Sequence, residues 1–400
     1  MLERIPRGIT APTGFRAAGV ACGIKASGLD LALLVSTPPA RSAGIFTTNL
    51  AVAAPVTLTR EHLRRSDATT AAVVVNSGCA NACTGERGLA DARDMAVTTA
   101  GVVGCPVEQV LVSSTGVIGA YLERDKLRQG IGEAAGSLGP DGHAAAAEAI
   151  MTTDPWPKEA AVRAEAPSGR FHVGGIAKGA GMIEPNLATM LAFLTTDAAV
   201  APPLLQRALR EAAETTFNAI TVDGEPSTND MVLALANGCS GATIDEASCP
   251  AFVEALHAVC HELALAVVKG GEGATKLVSV GVTGAHNAAE ARQAARAIAN
   301  SPLVKTAVHG EDPNWGRIVA VAGRAGVRFD LGRARVAIGG VELFGDERIF
   351  ADREPAAAEH MRTPEVAITI DLGTGGAGAA TVWTCDFSAE YIHINADYRT

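Results

Sequence analysis

Helical and strand patterns alternate along all 400 residues of this chain without a tandem repeat. Apolar residues at helical spacing predict helices over Ala90–Val103, Glu123–Leu138, Gly142–Met151, Pro203–Ile220, Pro250–Val268 and Ala288–Asn300. Short apolar runs predict strands over Val110–Ser113, Asp230–Ala236 and Leu277–Val282. Val366–Asp371 and Ala380–Cys385 flank a Gly-rich turn and read as a hairpin. Such alternation restricts the chain to the α/β or α+β class, because each half-apolar element must bury its face against another kind of element. No Pro/Ser-rich linker marks a domain boundary.

Composition narrows the function. Hydrophobic residues make up 48% but aromatics only 4%, so Ala, Val, Ile and Leu must supply the core. That apolar share excludes a disordered chain, and glycines without a period of three exclude collagen. The net charge is -10. The densest basic stretch, Arg60–Arg65, is interrupted by Glu61 and Leu63. A nucleic-acid partner is therefore not expected, and small molecules are the default. The 8 cysteines are scattered with no C-x-x-C, as expected of reduced thiols in the cytoplasm. Pro6 and Pro12 break the first residues, which lack a signal-peptide stretch, and there is no run of 18 apolar residues. The expectation is a cytoplasmic protein with no membrane span.

Three motifs fail on context. Gly373, Gly375 and Gly378 match G-x-G-x-x-G, but a β-rich segment follows instead of a helix. Gly270–Lys276 (GGEGATK) lacks the G-K-[ST] ending of a phosphate loop. His257 and His261 stand four apart with Cys260 and Glu262 beside them, but without H-E-x-x-H they read as a packed or solvated pair, and no metal is expected. No G-x-S-x-G elbow occurs.

Five polar segments rich in glycine stand out instead: Asn76–Gly88, Ser113–Gly119, Gly174–Thr189, Gly270–Lys276 and Gly310–Arg317. Glycine lets backbone amides approach a ligand, although each segment alone is equally an ordinary turn. The third is the sharpest. Lys178 lies in a glycine-flanked turn, and Ala188-Thr189 opens an apolar run. By pattern alone, Thr189 is a β-branched residue in a buried strand.

Gly175–Ala198 (GIAKGAGMIEPNLATMLAFLTTDA) closely resembles the self-cleavage region of the ornithine acetyltransferase family, the bifunctional glutamate N-acetyltransferase/amino-acid acetyltransferases of arginine synthesis. The resemblance extends through Gly8–Lys25, NSGCANACTG, SSTGVIG, Ile150–Lys158 (IMTTDPWPK), Ser227–Asp230 (STND), GEGATK, Lys305–Ile318 and Asn395–Thr400 (NADYRT), in order from end to end. It implies an α/β fold: a layered αββα sandwich, two sheets between helix layers, with a smaller C-terminal α/β part. Its self-cleavage is similar to that of the N-terminal nucleophile hydrolases.

The resemblance also implies a cut at Ala188-Thr189, giving chains 1–188 and 189–400 that pair into an α2β2 heterotetramer. The Thr hydroxyl attacks the preceding carbonyl, and water hydrolyses the resulting ester. The freed α-amine, with an ordinary pKa of about 7.7–8.0, can then serve as base for its own hydroxyl. Thr189 would take acetyl from N-acetylornithine and pass it to glutamate without a metal or cofactor. Thr115 and Gly116 would form the oxyanion hole. Thr152, Lys178, Thr189, Glu272, Asn395 and Thr400 match the substrate-binding positions, Lys178 suiting a carboxylate and Glu272 the amine of ornithine. Some members also use acetyl-CoA, which the sequence leaves open.

The chain departs from the family pattern at Cys79 (usually Asn), at Asp223-Gly224-Glu225-Pro226 (usually D-G-D-T) and at Gly270 (commonly Asp). Two readings compete with acetyl transfer. A self-processing amidase or aminopeptidase of the related fold would use water as acceptor. A non-catalytic binding protein would have kept only the fold.

Overall fold

In the computed structural model, residues 2–184 and 190–397 are described. They form two compact units, the first comprising 2–218 and 225–267 and the second 219–224 and 268–397.

The strands of the first unit are β1 (Glu3–Arg4), β2 (Phe15–Val20), β3 (Leu31–Phe46), β4 (Thr69–Cys79), β5 (Val110–Val117), β6 (Lys158–Ala166), β7 (Gly169–Lys178), β8 (Leu191–Thr196), β9 (Ala199–Val200), β10 (Met231–Ala236) and β11 (Thr243–Ile244). Its helices are α1 (Ala54–Arg65), α2 (Gly85–Val103), α3 (Arg124–Gly136), α4 (His143–Ala149), α5 (Pro202–Glu214) and α6 (Cys249–Lys269). Nine strands run in the order β1-β6-β7-β8-β10-β3-β4-β5, with β2 also on β3, while β9 and β11 pair separately. The pairs β4–β5 and β8–β10 are parallel, and each is joined through a helix, as parallel neighbours require.

The 16-residue β3 belongs to two halves of this sheet. Leu31–Ser36 pairs with β2, and Arg41–Phe46 pairs with β10. The period of two along the strands assigns the faces. Ala32, Leu34, Val73, Val75 and Leu111 join Ile176, Phe193, Met231 and Leu233 in one core cluster, so the two halves face each other. Leu31, Leu33, Val74 and Val112 turn the other way, onto Met95 of α2 and Leu127 and Ile131 of α3. On the opposite side, Gln206 of α5 bonds both backbone groups of Gly44 in β3, and Phe252 of α6 packs on Phe171 of β7. This is the αββα sandwich. Its close packing uses glycine: a Cβ at Gly142, before α4, would overlap the Ala17 carbonyl oxygen of β2.

The second unit holds β12 (Leu277–Ala285), β13 (Arg335–Ile338), β14 (Val341–Gly345), β15 (Arg348–Ile349), β16 (Glu365–Asp371) and β17 (Gly378–Cys385) in the order β15-β14-β13-β16-β12-β17. Its helices are α7 (Ala288–Ala299), α8 (Pro302–His309), α9 (Trp315–Gly323), α10 (Glu354–Met361) and α11 (Ala389–Asp397). Val278, Val280, Val366, Ile368 and Ile370 bury one sheet face against Ala291, Ala294, Ala295 and Ile298 of α7. Asn287 caps α7 by accepting the Glu290 amide at 2.8 Å. This is the smaller C-terminal α/β part.

Two sequence expectations change. Val366–Asp371 and Ala380–Cys385 are strands but not a hairpin: β12 lies between them, parallel to β16 and antiparallel to β17. The Gly-rich turn crosses the end of β12, where Leu372 and Thr374 donate to Thr283 and Gly284. Period two identifies a strand but not its partner. The helix predicted over Pro203–Ile220 ends at Glu214, and a 3-10 turn spans Phe217–Ala219. The β-branched Thr215-Thr216 pair is a poor continuation, and Thr216 bonds its hydroxyl back to Ala212 at 2.6 Å.

The missing linker has a simple cause. One boundary between the units falls inside α6, at Val267-Val268. By length and composition α6 is apolar enough to cross a membrane, but Phe252, Leu256, Val259 and Leu263 are buried in the protein. The expected cut at Ala188-Thr189 lies outside the described residues, in the connection between β7 and β8. Those strands are hydrogen-bonded neighbours in one sheet, with Lys178 opposite Leu191, so that position is not a boundary between compact units.

Candidate active site

The SSTGVIG segment ends β5 beside the end of β4, with Ser77 opposite Thr115 and Gly78 opposite Gly116. Ser114 donates to Asn76 Oδ1 at 2.6 Å, and Asn229 donates to the carbonyls of Ser114 and Ala80 at 2.9 and 2.6 Å. Gly116 has φ +124° and cannot be replaced: a Cβ there would overlap Gly78 and come within 2.7 Å of the Cys79 nitrogen.

Lys178 ends β7, in the opposite half of the sandwich. Its ammonium donates to Thr152 Oγ1 at 2.9 Å and to Thr115 Oγ1 at 3.2 Å. Three predicted site residues thus meet, Thr152 and Thr115 lying 26 and 63 positions from Lys178. An ammonium has no acceptor, so Thr115 receives this bond and keeps its own proton free to donate.

Asp154 underlies this group and was not singled out from sequence, although IMTTDPWPK contains it. Its Oδ1 accepts from Lys158 at 2.5 Å and the Gly179 amide at 2.6 Å, and Oδ2 accepts the Thr152 amide at 3.1 Å. The side chains of Asp154 and Lys158 are both 0% exposed. Burial raises the Asp154 pKa, but Lys178, Lys158 and the Gly179 amide outweigh it and hold the carboxyl below its ordinary value. Burial lowers the pKa of Lys158, with Asp154 opposing. Lys25, which donates to the Met151 carbonyl at 3.1 Å, is also lowered by burial.

Asp230, from STND, immediately precedes β10. Burial pushes its pKa well above the carboxylate range despite Ser227, Lys178 and Thr47, and its Oδ2 has no partner. Between the unfolded value of about 3.9 and the raised folded value, the folded protein binds the extra proton. Stability present below the unfolded value is therefore lost as pH rises through that window. Asp230→Asn should flatten this decline and stabilise the protein at neutral pH. Urea unfolding from about pH 4 to about pH 8 checks it, and an unchanged slope would count against a protonated Asp230.

The departures are accommodated without disturbing these contacts. Cys79 donates to the Ala120 carbonyl at 3.3 Å, and burial raises its pKa. Pro226 is exposed and accepts from Asn49 at 3.3 Å. Gly270 is buried just after α6.

The second unit carries Glu272 and Asn395. Buried Glu272 accepts from Asn395 Nδ2 at 2.8 Å, and the same amide reaches the Tyr391 carbonyl at 3.0 Å. GGEGATK follows a helix and precedes strand β12, the reverse of a phosphate loop. Ala188, Thr189 and Thr400 lie outside the described residues. His257 and His261 stack at 5.7 Å, and His257 contacts the Thr215 hydroxyl at 3.1 Å. Among the described residues no group of three or more His, Cys, Asp or Glu could hold a metal ion.

The chain matches the ArgJ family over residues 16–400. It is 50% identical to the arginine biosynthesis bifunctional protein ArgJ of Symbiobacterium thermophilum, with 100% of both chains covered. It is 46% identical to that of Thermosynechococcus vestitus, covering 100% of this chain and 99% of the relative. Among solved structures, the ornithine acetyltransferase of Mycobacterium tuberculosis complexed with ornithine is 44% identical, covering 47% of this chain and 100% of the other, with a TM-score of 0.44. With a family match over nearly its whole length and relatives this similar from end to end, the chain belongs to the ArgJ family.

Proposed function

We propose that the protein cleaves itself at Ala188-Thr189 and then transfers acetyl from N2-acetylornithine to glutamate through an ester on Thr189. The observation that carries this reading is the Lys178 ammonium held between the hydroxyls of Thr115 and Thr152 at the end of the strand that leads to the Ala188-Thr189 connection.

The α-amine of Thr189 takes the hydroxyl proton as Oγ attacks the acetyl carbonyl. The carbonyl oxygen becomes an oxyanion, which the free Thr115 hydroxyl proton and the Gly116 amide stabilise. Removing one such donor typically costs about 10²–10³ in rate. The amide C–N bond breaks, its nitrogen takes the proton, and ornithine leaves. The α-amine of glutamate attacks the ester in turn, releasing N-acetylglutamate and regenerating the hydroxyl. Lys178 pairs with the α-carboxylate common to both amino acids. Glu272, which accepts from Asn395, is the proposed contact to the side-chain ammonium of ornithine, and Thr400 is proposed as a further substrate contact. The two cleaved chains pair as α2β2 in the cytoplasm.

Incubation with N2-acetylornithine and glutamate should yield N-acetylglutamate and ornithine in equal amounts. Free acetate without acetylglutamate would identify the hydrolytic amidase instead. Acetyl-CoA with glutamate tests the further activity, and acetylglutamate formed there marks a bifunctional enzyme.

A further inference from the structure

Glu272 lies in an irregular turn between α6 and β12, closed by the Ala274 amide on the Gly271 carbonyl at 3.0 Å. What else holds this turn comes from the segment after β17 and from the end of α8. Asp386 is buried, and its acceptor positions face the turn. Oδ1 receives the amides of Thr275 and Lys276 at 2.7 and 2.9 Å. Oδ2 receives the Thr275 hydroxyl at 2.6 Å and lies 2.7 Å from His309 Nδ1. Two residues on, Ser388 donates to the Gly273 carbonyl at 2.6 Å. Burial raises the Asp386 pKa, but these donors prevail and keep it below its ordinary value, so the group is an anion at neutral pH. With Asp386 ionised, His309 Nδ1 carries the proton of their bond.

His309 belongs to the Lys305–Ile318 segment, which the proposed chemistry leaves without a task. We propose that Asp386, with His309 behind it, is a positioning residue for Glu272 and so for the amine-bearing end of the acetyl donor. This rests on the reading of Glu272 as a contact to that amine. Asp386 touches no substrate. It fixes the backbone on which Glu272 is carried, while Asn395 holds the Glu272 carboxylate itself. In Asp386→Asn the amide group would present hydrogens to the Thr275 hydroxyl or to His309 Nδ1, both donors in the native arrangement. The turn then loses a charge-assisted clamp.

The test compares wild type, Glu272→Gln, Asp386→Asn and the double variant, with N2-acetylornithine varied at saturating glutamate. Self-cleavage is followed by intact mass. Glu272→Gln and Asp386→Asn should each raise the donor KM about tenfold or more, with kcat little changed and cleavage complete. The double variant should be no worse than Glu272→Gln, because both changes act through one contact. A wild-type donor KM in Asp386→Asn, or KM effects that multiply in the double variant, would overturn the proposal. An unchanged donor KM in Glu272→Gln would instead remove the reading of Glu272, and the proposal with it. Absence of transfer in the wild type would refute the function itself. Thr275→Val removes one bond to Asp386 and leaves the carboxylate in place. Should Asp386→Asn fail to fold, a raised donor KM in Thr275→Val supports the proposal and an unchanged one overturns it.

Discussion

Replacing Thr189 by Ala should leave one uncut chain of 40.8 kDa and no detectable acetyl transfer. The wild type should give two fragments, the second beginning at Thr189. Both losses have one cause. Without the hydroxyl there is no N→O shift, so no new chain end forms. Without that end there is no α-amine near neutral pKa to serve as base, and no oxygen to carry acetyl. Thr189→Ser keeps the hydroxyl and should still cut. Cleavage in Thr189→Ala, or an uncut but active wild type, would end this mechanism. Because β7 and β8 stay paired across the connection, the two fragments should elute together under native conditions and separate in denaturant.

Asp154→Asn should cost about 3–5 kcal/mol of stability and most of the activity. The change strands Lys158 as a buried cation, and at 0% exposure no water replaces the lost partner. The same carboxylate holds the Thr152 and Gly179 amides on its two oxygens, and Asn keeps only one of these acceptors, so one flank of the Lys178 site loosens. The double variant Asp154→Asn, Lys158→Met should recover much of the stability, since an apolar replacement of a buried pair is often neutral. It should not recover activity, because one of the two amides stays unanchored. Thermal unfolding and the transfer assay separate the two effects. Additive stability losses in the double variant would show that the pair is not coupled.

Much of this protein is legible locally. Apolar spacing marks α3, α6 and α7 nearly to their ends, because the face a helix must bury is written every three to four residues, whereas α2 begins at Gly85, five residues before the expected Ala90. Resemblance marks Thr115, Lys178 and Glu272, since short motifs survive without knowledge of the fold. Asp154 and Asp386 were invisible as site components. Each is an isolated carboxylate whose importance comes from backbone amides, and every residue type except proline supplies those. The hairpin misreading has the same origin: the strand that separates β16 and β17 comes from nearly a hundred positions earlier in the chain.

The glycine-rich turns divide along this line as well. Gly116 serves the candidate site, whereas Gly142 serves the contact of α4 with β2, and no pattern in the sequence tells them apart. The sequence by itself determined the α/β class, the order of the elements, the family and the residues able to do acyl-transfer chemistry. Periodicity and motif content are local properties that need no partner. The tertiary structure decided which of those residues meet. Lys178 reaches Thr115 and Thr152 because β3 serves both halves of one sheet and hydrophobic burial presses the halves face to face, bringing the ends of β5 and β7 together.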